Sequence, residues 1–169
     1  MLSFFNNSFN QTPSIVVQQD QNDCGIACLL TLIRYYGGDK EFENLRQLSG
    51  TNIYGTTLLG LYQAANQIGF TAEGCEADIA ALIKHPSPVI LHVLINNQLN
   101  HYIVCFGTTE FNGQLKFIIG DPAKGIVYLN KNELNEIWQS KTCLTLEPNE
   151  HFKKAVEITR QKTMDSTID

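Results

Sequence analysis

The stretch Gln18–Leu30, "QQDQNDCGIACLL", runs from six polar residues into seven small or apolar ones, and Cys24 stands at the changeover. Asp23 suits the N-cap of a helix through "CGIACLLTLIRYY", where Ala27, Leu30 and Ile33 recur at helical spacing and Gly37-Gly38 supply a stop. A cysteine in a first helical turn faces unpaired backbone N–H groups and the positive end of the helix dipole, which favour a negative sulfur. Position alone leaves Cys24 open as core filler, half of a crosslink, metal ligand or nucleophile, because free cysteines are common core residues.

Outward from this helix, "KEFENLRQLSG" sets Phe42, Leu45 and Leu48 on one side, and a third helix runs from Thr56-Thr57 through Leu58, Leu61, Tyr62, Ala65 and Ile68 to Gly69. "TAEGCEAD" reads as a short strand or extended loop, and Asp78 suits the cap of "IAALIKH", which Pro86 and Pro88 stop. The texture then changes. "PVILHVLI", "HYIVCFGTT", "QLKFIIGD", "GIVYLN" and "KTCLTLEP" are strand-like runs, with a turn at Asn112-Gly113 and a short helix in "KNELNEIW". A helical first half followed by an antiparallel sheet is the α+β layout, with one face of the sheet packed on the helices.

The chain has 169 residues and 43% hydrophobic content, which suits one domain with a sizeable core. Residues 1–13 read as an N-terminal extension, 14–148 as the domain and 149–169 as a polar tail or linker outside the core, with a weak helical pattern through Phe152, Val156 and Ile158. The net charge of −5, with no basic run interleaved with aromatics, argues against nucleic acid as a partner. No apolar run reaches a membrane span and the N-terminus lacks a secretory pattern, so a soluble, cytoplasmic protein is expected. Five cysteines without paired CxxC spacing fit reduced thiols rather than a disulfide framework. Cys24 and Cys28 with a histidine make a poor zinc set, because structural zinc usually takes closer paired ligands from turns. No metal and no cofactor are expected.

Acyl transfer by a thiolate needs a base, a group to orient that base, and donors for the tetrahedral oxyanion. Gln18, six residues before Cys24, suits the oxyanion donor, with Gln19 and Gln21 as rivals by composition. Of four histidines, His85 sits at a helix end before proline and His151 in the polar tail. His101 opens a strand after a loop, at a sheet end where sites usually lie, and is favoured over His92 in mid-strand. Asp121 ends the next strand and comes beside His101 if those strands pair antiparallel, although an aspartate before proline is also an ordinary turn residue.

"QQDQNDCGIAC" resembles the Q-x(4)-D-C-G-x-A-C signature of the bacteriocin-processing leader peptidases, the papain-like cysteine peptidase domains of peptidase-containing ABC transporters. "NHYIVCFG" is similar to the family's histidine strand and "IIGDPAKG" to its aspartate segment, so the resemblance covers about Ser14 to Pro148. It implies Cys24 as nucleophile, His101 as general base and then acid, Asp121 as the orienting carboxylate and Gln18 as oxyanion donor. It also implies a substrate: a precursor peptide whose N-terminal leader ends in Gly-Gly or Gly-Ala, cut after that pair. Two small residues at the cut call for a narrow cleft. The implied partners are the transmembrane and nucleotide-binding domains of an exporter, at the cytoplasmic face of the membrane. No GxxxxGK[ST] occurs in the chain. An excised domain and a free-standing peptidase beside a separate exporter both fit. The alternatives are a peptidase-like module that binds cargo without cutting it, and another papain-like amide hydrolase.

Overall fold

In the computed structural model, residues 13–167 are described, so all of the extension expected over residues 1–13 except Pro13 lies outside the described residues. The helix α1 (Cys24–Tyr35) buries ten of its twelve residues, from Cys24 to Ile33. A helix apolar on every side belongs inside the protein, and α1 is the central rod of the helical layer. Around it lie α2 (Phe42–Ser49) and α3 (Leu58–Ile68), the latter capped by Thr57, whose hydroxyl accepts from the Gly60 N–H. Asp78 caps α4 (Ile79–Lys84) as its position predicts, accepting from the Ala81 N–H at 2.7 Å.

The strands are β1 (Phe70–Glu76), β2 (Val89–Ile95), β3 (Leu99–Phe111), β4 (Gln114–Asp121), β5 (Gly125–Leu129) and β6 (Thr142–Pro148). They form one six-stranded antiparallel sheet in the order β1-β6-β2-β3-β4-β5. Between β3 and β4, Asn112 and Gly113 have φ of 50° and 74°, both positive as the tightest hairpin turns require. The stretch "TAEGCEAD" supplies most of β1, an edge strand paired with β6. The helix α5 (Lys131–Ile137) begins with a reciprocal capping box between Asn130 and Glu133.

Alternate residues of each strand serve two cores. Ile90, Tyr102, Val104, Leu144 and Leu146 pack with α1, α2 and α3. Val89, Leu91, Val93, Ile103 and Cys105 pack on the other face with Ile79 and Leu82 of α4, Leu134 of α5, and Trp138. Helices therefore cover both faces of the sheet, where the sequence pattern predicts one.

The segment after Asn149 forms α6 (Glu150–Asp165), and the expectation that it lies outside the core is corrected at Phe152. The Phe152 ring is buried against Phe70, with centroids 4.5 Å apart. Such burial contributes about 2 to 3 kcal/mol, enough to hold the first turn of α6 on the domain. No helix among the described residues is long and apolar enough to cross a membrane.

Candidate active site

Cys24 is the first residue of α1 and is buried. Gly25 lets the turn behind it sit close: a Cβ there would meet Thr56 Cβ and Tyr102 Cδ2 at 3.2 Å and Leu61 Cδ1 at 3.3 Å. The expected cap at Asp23 is not made. Its carboxylate forms no side-chain cap and turns instead to the Asp20 N–H and to Arg46. The first-turn N–H groups of α1 are thus left without a capping side chain, as an anion site at a helix N-terminus requires.

His101 and Asp121 come together as their strand positions predict. The β3–β4 ladder stops at Val104 and Gly120, and continuing its register sets Asp121 on the diagonal from His101, within reach of a long side chain. His101 Nε2 lies 2.8 Å from Asp121 Oδ1, with both side chains only 7% exposed, so the pair interacts out of bulk water. Asp121 is itself held in a turn, accepting from the Ala123 N–H at 2.9 Å, and Lys124 Nζ stands 4.0 Å away. Burial alone would raise the Asp121 pKa, but His101, the Ala123 N–H and Lys124 outweigh it and hold the carboxyl below its ordinary range.

The Cys24 sulfur is near enough to act on the His101 ring, and with Nε2 given to Asp121 it is Nδ1 that remains free for it. Burial works to lower the His101 pKa, yet Asp121 and the Cys24 sulfur overcome it and raise it to about 9. At neutral pH the ring is therefore an imidazolium between a carboxylate and a sulfur. The same sulfur acts on Tyr102, whose phenol is pushed up to about 12 by burial first and then by Cys24 and Cys28. Cys28 is wholly enclosed, and burial pushes its thiol well up, as suits an inert core residue.

Gln18 lies on the segment that leads into α1. Its backbone N–H donates to the Pro122 carbonyl at 3.0 Å, and its side-chain nitrogen donates to the Asp20 carbonyl at 3.1 Å. Its Oε1 is buried with no partner among the described residues. An amide nitrogen carries two protons, so one remains after the bond to Asp20. His92 makes other contacts: its Nδ1 lies 3.3 Å from Ser140 Oγ and its ring meets Tyr102 edge-on. His85 follows α4, and His151 lies in the first turn of α6.

Cys24 opens onto a cleft of about 520 Å³ lined by Asn22, Thr56, Leu99, Asn100, Tyr102 and His92. Among the described residues no three His, Cys, Asp or Glu side chains gather in a way that could hold a metal ion. Two parts of this neighbourhood escape the sequence reading. The Asp23–Arg46 pair joins residues on separate elements and leaves no local pattern. The Ala123 bond to Asp121 does leave one, since Asp-Pro-Ala is a turn sequence whose aspartate binds the backbone two residues on.

A sulfur at a helix N-terminus, an imidazolium and a carboxylate on the facing sheet, and an open cleft beside them are the parts of a papain-like cysteine peptidase. The model of the peptidase C39 family matches residues 12–151, and the chain belongs to that family. It is 38% identical over 144 residues to the pediocin PA-1 transport/processing ATP-binding protein PedD of Pediococcus acidilactici, covering 83% of this chain and 19% of that protein. It is 34% identical over 139 residues to the transport/processing ATP-binding protein ComA of Streptococcus pneumoniae, covering 80% of this chain and 19% of that one. The chain thus spans about a fifth of the length of these curated relatives. The solved peptidase domain of Streptococcus ComA superposes with a TM-score of 0.73 at 33% identity, covering 82% of this chain and 100% of that one. A double-glycine-motif protease from an AMS/PCAT transporter, solved in complex with the leader peptide, gives 0.70 at 28%, with 83% and 96% covered.

Proposed function

We propose that this chain cuts the N-terminal leader from a secreted precursor peptide after a Gly-Gly or Gly-Ala pair, on the cytoplasmic side of an ABC exporter. The single observation that carries the reading is the buried His101–Asp121 pair at 2.8 Å, with Cys24 at the head of α1 near enough to act on the same ring. The names of the relatives, which join transport and processing to ATP binding, support an exporter's transmembrane and nucleotide-binding domains as the partners.

Cys24 Sγ attacks the carbonyl carbon of the second small residue, forming a C–S bond and moving the π electrons onto oxygen. The Cys24 N–H and the Gln18 amide stabilise that oxyanion. His101 gives its proton to the leaving amine as the C–N bond breaks, releasing the mature peptide and leaving a thioester on the leader. The neutral imidazole then takes a proton from water, whose hydroxide adds to the thioester. Collapse breaks the C–S bond, frees the leader as a carboxylic acid that gives its proton to solvent, and restores the thiolate–imidazolium pair. Asp121 keeps the imidazole oriented and stabilises its charged form throughout.

A cleft that admits two small residues excludes larger ones, so the pair before the cut sets specificity. The test is cleavage of a synthetic precursor carrying a Gly-Gly leader, followed by mass spectrometry. One cut after the second glycine is expected, and its loss when either glycine is replaced by valine. No turnover of the Gly-Gly precursor, with turnover of an unrelated amide, would instead support a papain-like hydrolase of another specificity.

A further inference from the structure

Asp23 sets a buried carboxylate, with its side chain 3% exposed, one residue before the sulfur at the head of α1. Left bare, it would oppose a negative sulfur by like-charge repulsion. It is not left bare. Arg46 of α2 grips it with two prongs, Nη2 to Oδ2 at 2.7 Å and Nε to Oδ1 at 3.2 Å. The guanidinium rests over the Phe42 ring, 5.7 Å from its centroid, so it is held in place from beneath. The same Nη2 reaches Gln19 Oε1 at 3.3 Å, and Asp23 Oδ2 takes the Asp20 N–H at 3.0 Å. One side chain from a separate helix thus ties down the segment between Gln18 and Cys24.

We propose that Arg46 is a positioning residue for the reaction: it neutralises Asp23 so that no bare carboxylate stands beside the reacting sulfur, and it fixes the strap that carries Gln18. The inference rests on the reading of Cys24 as nucleophile. It also accounts for an aspartate that fails to cap its helix, because a two-pronged ion pair with a guanidinium outcompetes a single bond from a backbone N–H.

Alkylation of Cys24 by iodoacetamide at pH 7, located by peptide mass, reports the sulfur without substrate. It is measured with kcat and KM on the Gly-Gly precursor for wild type, Arg46→Gln and the double variant Asp23→Asn/Arg46→Gln. Arg46→Gln is expected to slow alkylation and kcat by about tenfold or more, with KM within about twofold of wild type. The double variant, which removes both charges, is expected to recover most of the alkylation rate and part of kcat, the strap staying untied; alkylation is read well below each variant's melting temperature, where a contact that serves folding alone leaves it unmoved in both variants. Wild-type rates in Arg46→Gln, or a double variant as slow as the single one, overturn the proposal. If Arg46→Gln does not fold, the double variant carries the test: alkylation near the wild-type rate supports the proposal and slow alkylation overturns it. Full cleavage by Cys24→Ala would sink the underlying reading, whereas an inert Cys24→Ala beside an unaffected Arg46→Gln sinks only this inference.

Discussion

The Gln18 backbone N–H donates to the Pro122 carbonyl at 3.0 Å, which joins the segment entering α1 to the turn that holds Asp121. Two stretches a hundred residues apart in sequence are thereby set in one frame. Because that bond uses backbone only, it survives truncation of the side chain.

Gln18→Ala is therefore expected to lower kcat by about a hundredfold or more while KM and melting temperature change little, as for loss of one oxyanion donor. Steady-state kinetics beside a thermal melt checks this. An unchanged kcat would remove Gln18 from the oxyanion site.

The pH dependence follows from the direction of each shift. His101 is raised to about 9 from an ordinary value of about 6.5, so its stabilising contribution is complete below about 6.5 and is lost as pH rises through about 9. The proton donated to the leaving amine disappears over the same range, so kcat/KM is expected to fall on the alkaline side with a midpoint near 9. Asp121 is depressed, so its contribution is present above the ordinary carboxylate value and is lost as pH falls through the lowered one. Asp121→Asn takes away a principal cause of the raised His101 value. A pH-rate profile of that variant should show the alkaline limb moved toward neutrality; a limb left in place would contradict the assigned cause.

Phe152 anchors α6 far from the chemistry, packed on Phe70 in the helical core. Phe152→Ala should cost about 3 to 5 kcal/mol of stability, with kcat preserved at temperatures where the variant is folded. Denaturant unfolding beside an activity assay separates the two effects, and a loss below about 1 kcal/mol would mean that the ring is not part of the core.

Much of this was legible in local signals. Thr57, Asp78 and Asn112-Gly113 mark a helix start or a turn through their own chemistry, and all three act as that chemistry dictates. His101 and Asp121 were legible as the two ends of adjacent strands. The pairing of Asp23 is invisible to local pattern because its partner Arg46 lies 23 residues on, in another helix, and a salt bridge across elements has no periodicity. Phe152 is a lone aromatic in a polar segment, and its burial depends on Phe70 across the fold. The second helical layer did leave a trace. The nearly continuous apolar run "VILHVLI" marks a strand buried on both faces, and in this fold helices cover both.

The proposed cleavage runs through one sulfur, that of Cys24. The direct measurement compares wild type with Cys24→Ala on a precursor bearing a Gly-Gly leader, by mass spectrometry of the products and by binding of the intact leader. Loss of cleavage by at least about a thousandfold with leader binding retained is the expected result. Cleavage undiminished in Cys24→Ala would rule Cys24 out as the nucleophile.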